Sequence, residues 1–167
     1  MRRTFLIGFA TLGALASVLG GCGFQLRGTA SLPYESLYVA APRTSAFAIE
    51  LRRAVRANSK TRLVDDPKEA QATLQLVNEA REKVILSLSG GGRVREFQLR
   101  YRMTYRMVDR DSKELRPATQ IALQREVSYS DNNTLAKETE ESLLYRDMQS
   151  DAIAQLLRQL QTLRPGA

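Results

Sequence analysis

The stretch EFQLRYRMTYRM, which begins at Glu96, constrains the fold more than any other part of the chain, because apolar and polar side chains alternate in it without a break. Its apolar positions are Phe97, Leu99, Tyr101, Met103, Tyr105 and Met107. Successive side chains of a β-strand point to opposite faces, so the pattern predicts a long strand with one buried face and one solvated face. Other elements of the chain must then cover the buried face.

Shorter patterns before this stretch predict a strand, a helix and a second, short extended segment. In ESLYVAAP, Leu37, Val39 and Ala41 fall on one side of a strand that ends at Pro42. TSAFAIELRRAVRANS predicts a helix capped by Ser45, and TRLVDDP predicts a brief extended piece followed by a turn. The residues that share the apolar face of the helix are Phe47, Leu51, Ala54 and Val55.

The middle of the chain predicts a β-meander. QATLQLVNEAREKVILSLS spaces Leu74, Leu76, Val84, Leu86 and Leu88 evenly, which predicts that they share one side of a strand. Gly90-Gly91-Gly92 suits the hairpin turn, because glycine adopts positive φ without a steric cost. ATQIALQREVSYS predicts the returning strand. Its Arg125 points to the apolar side in this register, and we expect a local bulge or a strand end there.

A long helix is predicted from Thr134 to Leu163, stopped by Pro165-Gly166. Its helical stripe consists of Leu144, Met148, Ala152, Leu156, Leu160 and Leu163. The order of elements predicts an α/β (α+β) fold, a two-layer sandwich with two helices packed on one face of a mainly antiparallel four-stranded sheet. We expect residues 35–165 to form this single domain.

The N-terminal segment predicts a lipoprotein. Arg2 and Arg3 precede an uncharged apolar run that is too short for a comfortable membrane span. It ends in Leu-Gly-Gly before Cys22, the only cysteine, which matches a lipobox. We therefore expect residues 1–21 to be a cleaved signal peptide and residues 22–34 to be a lipidated tether, with diacylglycerol and an N-acyl chain on Cys22 and no other cofactor. An ordinary signal peptide with an incidental cysteine, or an uncleaved anchor, is the alternative.

Residue types exclude several kinds of catalytic and metal site. The chain has no histidine, so histidine-based catalysis and a zinc site of the usual Cys/His kind are excluded. An acylated Cys22 cannot act as a nucleophile. Carboxylates are plentiful, but none lies in a recognisable catalytic motif. The three glycines do not form a phosphate-binding loop, because neither a helix nor Gly-Lys-Ser/Thr follows them. We expect a protein that is not an enzyme.

The basic residues suggest an anionic partner. Net charge is +7, and six arginines lie between positions 93 and 110. Arg100, Arg102 and Arg106 share the wet face of the long strand, and arginine matches phosphate and carboxylate oxygens well. The plainer interpretation is a solvated sheet face whose basic charge prevents pairing with the strands of other chains. Nucleic acid would also fit, but an exported lipoprotein rarely meets it, so we expect no nucleic acid partner.

Three segments of the chain resemble one known family. CGFQLRG after the lipobox, REFQLRY after the glycine turn and LAKETEESLLYRDMQSDAIAQLLRQL in the last helix resemble the LptE lipopolysaccharide-assembly lipoproteins. The resemblance implies a plug inside the outer-membrane barrel LptD. Such a plug assists barrel assembly and binds lipopolysaccharide during its insertion into the outer leaflet, without making or breaking a bond.

The same resemblance implies where lipopolysaccharide binds. The family's basic positions at the start of the last helix and near the glycine turn correspond to Lys137 and, most nearly, Arg93. Arg95, Arg100, Arg102 and Arg106 are further candidates for lipopolysaccharide or the barrel wall. The alternative is another envelope lipoprotein, acting as a barrel-assembly scaffold or a phospholipid-transport auxiliary. Gly23 in place of aspartate favours the outer membrane. The resemblance implies that the lipid anchor lies on the periplasmic side and the domain in the barrel lumen. The role of Arg27 is left open.

Overall fold

The structure, a computed structural model, describes residues 32–129 and 134–163, and within them the chain forms five strands and two helices. The elements are β1 (Ser36–Ala40), α1 (Ala46–Asn58), β2 (Arg62–Val64), β3 (Ala72–Leu88), β4 (Val94–Asp109), β5 (Glu114–Ser128) and α2 (Thr134–Gln161). A 3-10 turn, Pro67–Glu69, precedes β3. Cys22, Arg27, the expected signal peptide, most of the tether and Pro165-Gly166 lie outside the described residues.

The sheet is mixed and has the order β2-β1-β3-β4-β5. Strand β1 runs parallel to β2 and β3, whereas β3, β4 and β5 are antiparallel. The α+β class is confirmed, but the expected four-stranded, mainly antiparallel sheet is wrong in strand number and in the pairing of β1. The chain crosses from β1 to β2 through α1, and such a strand-helix-strand crossover places the two strands parallel.

Helix α1 begins and packs as its sequence predicts. The Ala48 amide donates to the Ser45 hydroxyl at 3.2 Å, so the predicted cap is confirmed. Phe47, Leu51 and Val55 are fully buried, and Ala54 packs against the same core. One face of α1 therefore contributes to the core and the opposite face meets solvent.

The predicted alternation of β4 is confirmed from Leu99 to Met107, whereas Phe97 is only partly buried. Leu99, Tyr101, Met103, Tyr105 and Met107 have no exposed surface. They share one core with both helices, to which α2 contributes Met148, Ala152, Leu156 and Leu160. Both helices therefore cover the same face of the sheet, and the other face of β4 is left open.

Strand β3 departs from its predicted pattern at Val77. Leu76 pairs with Tyr105, but Asn78 pairs with Thr104, so one extra residue lies in β3. Such a bulge reverses the side on which the following residues point, up to the next irregularity of the β3–β4 ladder, between Ile85 and Ser87. Beyond it, Arg81 and Lys83 face the helices, and Val84 lies on the open face opposite Gln98. Val84 therefore does not share one side of the strand with Leu74 and Leu76, as the even spacing predicted.

Arg125 does point towards the helices, but neither a bulge nor a strand end explains it. It pairs in regular register with Leu99, and the irregularities of the β4–β5 ladder fall between Tyr105 and Val108. The Arg125 guanidinium donates to Asp151 Oδ2 of α2 at 2.8 Å. A partner on the covering helix therefore accommodates this charge.

We predict that the core and this ion pair differ strongly in their effect on stability. Leu156→Ala should lower the free energy of unfolding by about 2–5 kcal/mol, because it leaves a cavity under the sheet. Arg125→Met should lower it by less than about 1 kcal/mol, because the Arg125 and Asp151 side chains are 41% and 56% exposed. Urea unfolding of the two variants and the parent measures both values. Equal losses would contradict this division between core and surface.

Candidate functional site

The structure divides the predicted basic residues between two places. Arg93, Arg95 and Lys137 lie at the end of the molecule where the β3–β4 hairpin turns, and we call them the tip cluster. Arg100, Arg102 and Arg106 lie on the open face of β4, and we call them the arginine face.

The hairpin turn is built on Ser89 and Gly92. The Gly92 amide donates to the Ser89 carbonyl at 2.9 Å, and the Ser89 amide donates to the Arg93 carbonyl at 2.7 Å. Gly92 has a φ of 77°, a left-handed conformation that favours glycine. The Tyr129 amide, just after β5, donates to the Arg95 carbonyl at 2.7 Å. The end of β5 is therefore fixed beside the tip of the hairpin.

The start of α2 lies at this same end. Lys83 of β3 contacts Glu141 of α2, with 2.6 Å between Nζ and Oε2. The Lys83 ammonium also lies 4.2 Å from the centre of the Phe97 ring. Lys137 is one helical turn before Glu141, is half-buried, and pairs with Glu140 at 2.8 Å. The helix start and the hairpin turn, which lie far apart in sequence, are thus brought to one end of the fold.

Exposed apolar side chains lie at the end of β3, close to the hairpin turn that carries Arg93. Ile85, Leu86 and Leu88 are 52%, 43% and 56% exposed. Leu88 and Arg95 line a shallow indentation of about 480 Å³ together with Tyr129. The even spacing of Leu86 and Leu88 with Leu74 gave no sign of this exposure. The run VILSL, with apolar residues in both phases of a strand, is the feature that marks them as different from a buried face.

The arginine face is more polar than the surface around the tip cluster, and neighbouring side chains form hydrogen bonds or ion pairs with its arginines. Arg100 Nε donates to Gln98 Oε1 at 2.6 Å, Arg106 donates to Gln75, and Arg102 forms an ion pair with Glu82. A guanidinium has five N–H groups, so each arginine keeps donors for a partner. Val108 of β4 lies in the same phase as these arginines, but it is only 9% exposed.

A polar network that the sequence did not reveal joins the helices to the sheet. Arg81 donates to Gln149 at 2.8 Å, and Gln149 donates to Glu50 at 2.7 Å, so β3, α2 and α1 are connected in series. The Tyr101 hydroxyl donates to Glu79 at 2.9 Å. Burial, together with the nearby Glu79 carboxylate, raises the pKa of Tyr101 far above its ordinary value. Tyr101 is therefore a neutral donor.

We predict that Tyr101 makes stability fall at alkaline pH. The folded chain keeps the Tyr101 proton, whereas the unfolded chain loses it near the ordinary tyrosine pKa of about 10. The free energy of unfolding therefore decreases as pH rises above that value. Tyr101→Phe should lower the free energy of unfolding by about 1 kcal/mol at neutral pH, because a hydrogen bond is lost. Above about pH 10, the free energy of unfolding of this variant should fall less steeply than that of the parent. Urea unfolding across this range measures the slopes, and parallel slopes would contradict the assignment.

The part of the chain that the structure describes lacks two further features. None of its helices has both the length and the apolar composition for a membrane crossing. The described part of the chain also holds no group of three or more His, Cys, Asp or Glu side chains placed to bind a metal ion.

Comparison with known proteins gives a consistent result. The family model described as LptE: Lipopolysaccharide-assembly matches residues 34–160. A relative named LPS-assembly lipoprotein LptE, from Yersinia pestis (strain Pestoides F), is 31% identical over 96% of this chain and 75% of its own length. A second protein of that name, from Photorhabdus laumondii, is 28% identical over 96% of this chain and 85% of its own length.

Solved structures share the fold. Uncharacterized lipoprotein B from Nitrosomonas europaea, solved by solution NMR, is 41% identical with a TM-score of 0.73 and covers 83% of this chain and 90% of its own. The rare lipoprotein B from Shewanella oneidensis is 24% identical with a TM-score of 0.66, covers 75% of this chain and 92% of its own, and supports the fold alone.

Proposed function

The chain belongs to the LptE family of lipopolysaccharide-assembly lipoproteins, and we propose that it is an outer-membrane plug of the LptD barrel that binds lipopolysaccharide during insertion into the outer leaflet. Its anchor is the diacylglycerol and the N-acyl chain on Cys22, at the periplasmic side. The protein acts by binding and positioning. Family membership favours this function over the phospholipid-transport alternative.

The tip cluster carries the proposal. Lipopolysaccharide is an anionic amphiphile, which combines phosphates with acyl chains. Arg93, Arg95 and Lys137 supply cations, and the exposed Ile85, Leu86 and Leu88 supply apolar surface at the same end of the fold. Arginine and lysine bind phosphate oxygens through charge-assisted hydrogen bonds. This combination is absent from the arginine face, so we assign lipopolysaccharide to the tip cluster.

The length of the sheet supports a plug. The chain enters the domain at Leu32–Glu35, where the Glu35 amide donates to Gln71, immediately before β3. From there β3 runs for 17 residues to the hairpin turn, a distance of about 50 Å at 3.3 Å per residue. The hydrocarbon core of a bilayer is about 30 Å thick. A domain anchored in the periplasmic leaflet is therefore long enough to reach the outer one.

The arginine face suits the barrel wall. Strands β4 and β5 present a surface without a covering helix. Its guanidinium groups are held by Gln98 of β4 itself and by Glu82 and Gln75 of β3. Such a flat polar surface with spare N–H donors fits a polar barrel interior.

We predict that neutralising the tip cluster weakens lipopolysaccharide binding selectively. Arg95→Gln with Lys137→Gln should reduce the affinity for purified lipopolysaccharide about tenfold, because two charge-assisted contacts are lost. Arg100→Gln with Arg102→Gln removes the same charge and should leave that affinity within about twofold. Binding of fluorescent lipopolysaccharide, with circular dichroism to check folding, measures both. Equal losses, or full binding by the tip variant, would contradict the assignment.

We also predict a stable complex with one large barrel. The protein carrying a C-terminal tag should bring down an outer-membrane barrel after gentle detergent extraction, and the Arg100→Gln, Arg102→Gln variant should recover less of it. Depletion of the protein should reduce surface lipopolysaccharide specifically. A solitary protein, with surface lipopolysaccharide intact on depletion, would overturn the proposed function.

A further inference from the structure

Polar contacts between β3 and α2 follow one another in step along the two elements. From the middle of α2 towards its start, they are Arg81 to Gln149 at 2.8 Å, the Tyr145 hydroxyl to the Glu82 carbonyl at 2.7 Å, and Lys83 to Glu141 at 2.6 Å. Glu141, Tyr145 and Gln149 are spaced four residues apart, so they share one face of the helix. Successive residues of β3 therefore hold successive turns of α2.

The bulge at Val77 turns this part of β3 towards α2. Side chains of a strand alternate between its two faces, and one extra residue shifts the alternation by one position. In the phase of Leu74, which lies in the core, both Arg81 and Lys83 would point to the open face. The bulge therefore places these two cations on the side that α2 covers.

Lys83 connects the start of α2 to the hairpin end of the sheet. Its ammonium pairs with Glu141 and lies 4.2 Å from the centre of the Phe97 ring, an arrangement that attracts a cation to the aromatic face. The Phe97 ring meets the Tyr129 ring edge-on, with 5.4 Å between their centres. The Tyr129 amide in turn donates to the Arg95 carbonyl. A continuous series of contacts thus runs from Glu141 to Arg95.

The first turns of α2 have little apolar contact with the sheet. None of the residues from Ala136 to Leu143 is buried, and Leu143 is 51% exposed. Of the described side chains of α2, that of Tyr145 is the first to be buried. Lys137 lies one turn before Glu141, on the same face of the helix. Its place therefore depends on the ion pair that Glu141 forms with the sheet.

We propose that Lys83 is a positioning residue of the tip cluster: through Glu141 it fixes the start of α2, so that Lys137 and Arg95 meet the same anionic head group. This inference rests on the proposed binding of lipopolysaccharide. Cations that are already held in place lose less conformational freedom on binding than cations on a mobile segment, and they bind more tightly for that reason. Lys83 is paired with a carboxylate, so it acts by holding the helix.

Glu141→Gln is the most discriminating variant, with the affinity of the purified protein for fluorescent lipopolysaccharide as the measurement. The change removes a negative charge and releases the Lys83 ammonium, so electrostatic attraction alone predicts tighter binding of an anionic ligand. We expect the opposite, an affinity about threefold weaker, because Lys137 is no longer held.

Variants of Lys83 test the other side of the same pair. Lys83→Met should weaken binding about as much as Glu141→Gln, because it breaks the same contact. Lys83→Arg should keep the affinity within about twofold of the parent, since arginine also pairs with a carboxylate and stacks on an aromatic ring. This rescue separates the ion pair from simple packing of a long side chain.

The ion pair between Asp151 of α2 and Arg125 of β5 provides the matched control. Asp151→Asn likewise removes one negative charge from α2 and releases one cation of the sheet, but in the half of the helix that packs on the core. It should leave the affinity within about twofold of the parent. Circular dichroism checks that every variant is folded.

Coupling between Glu141 and Lys137 supplies a measurement that a purely structural role would not change. In the parent, Lys137→Gln should weaken binding about threefold. In the Glu141→Gln protein the same change should have little further effect, because Lys137 has already lost its place. Arg95→Gln, on the hairpin, should weaken binding in both backgrounds.

Three results would overturn the proposal and leave the proposed function standing. Unchanged or tighter binding by Glu141→Gln would show that the pair does not position Lys137. Equal losses in Glu141→Gln and Asp151→Asn would assign the effect to the stability of α2 as a whole. Independent losses at Glu141 and Lys137 would show that the two residues act separately. A parent protein that fails to bind lipopolysaccharide would refute the proposed function and this inference together.

Discussion

Burial of one face of β4 is the constraint on which the rest of the structure depends. Five of its side chains, from Leu99 to Met107, have no exposed surface, and burying a side chain of this size contributes about 1.5–3 kcal/mol. Both helices must therefore lie on the same side of the sheet. The opposite face is left without a helix, which places Arg100, Arg102 and Arg106 where only solvent or another protein can meet them.

The contacts between α2 and the sheet change along the helix, from an ion pair near its start to apolar packing in its second half. Its C-terminal half packs Met148, Leu156 and Leu160 against β4, whereas its first turns reach β3 through the Lys83–Glu141 ion pair. A partly exposed pair contributes at most about 1 kcal/mol, so this end of the fold is held less tightly than the core. Proteins commonly place binding elements in regions of lower local stability. The tip cluster lies in such a region.

Periodicity predicted the elements of the fold, while long-range pairing decided their arrangement. The alternation in β4 and the apolar stripes of α1 and α2 act locally, so the sequence reveals them. The parallel pairing of β1 depends on a three-residue β2, which is too short to show a period. Arg125 was correctly placed on the helix side, but its partner Asp151 belongs to another element. Likewise, the arginine-rich region was visible in sequence, whereas the approach of the α2 start to the hairpin turn required the tertiary fold.

The two ends of the domain lie too far apart to meet the same membrane surface. Lys60 follows α1 near the entry of the tether, whereas Arg93 and Arg95 follow the far end of β3, about 50 Å along the sheet. Electrostatic attraction between exposed charges is largely screened beyond about 8 Å at physiological ionic strength. Lipid head groups beside the anchor therefore exert no useful attraction on the tip cluster, and an anionic ligand there must come from elsewhere. This distance agrees with the proposal that the tip cluster binds lipopolysaccharide in the outer leaflet while the anchor lies in the periplasmic one.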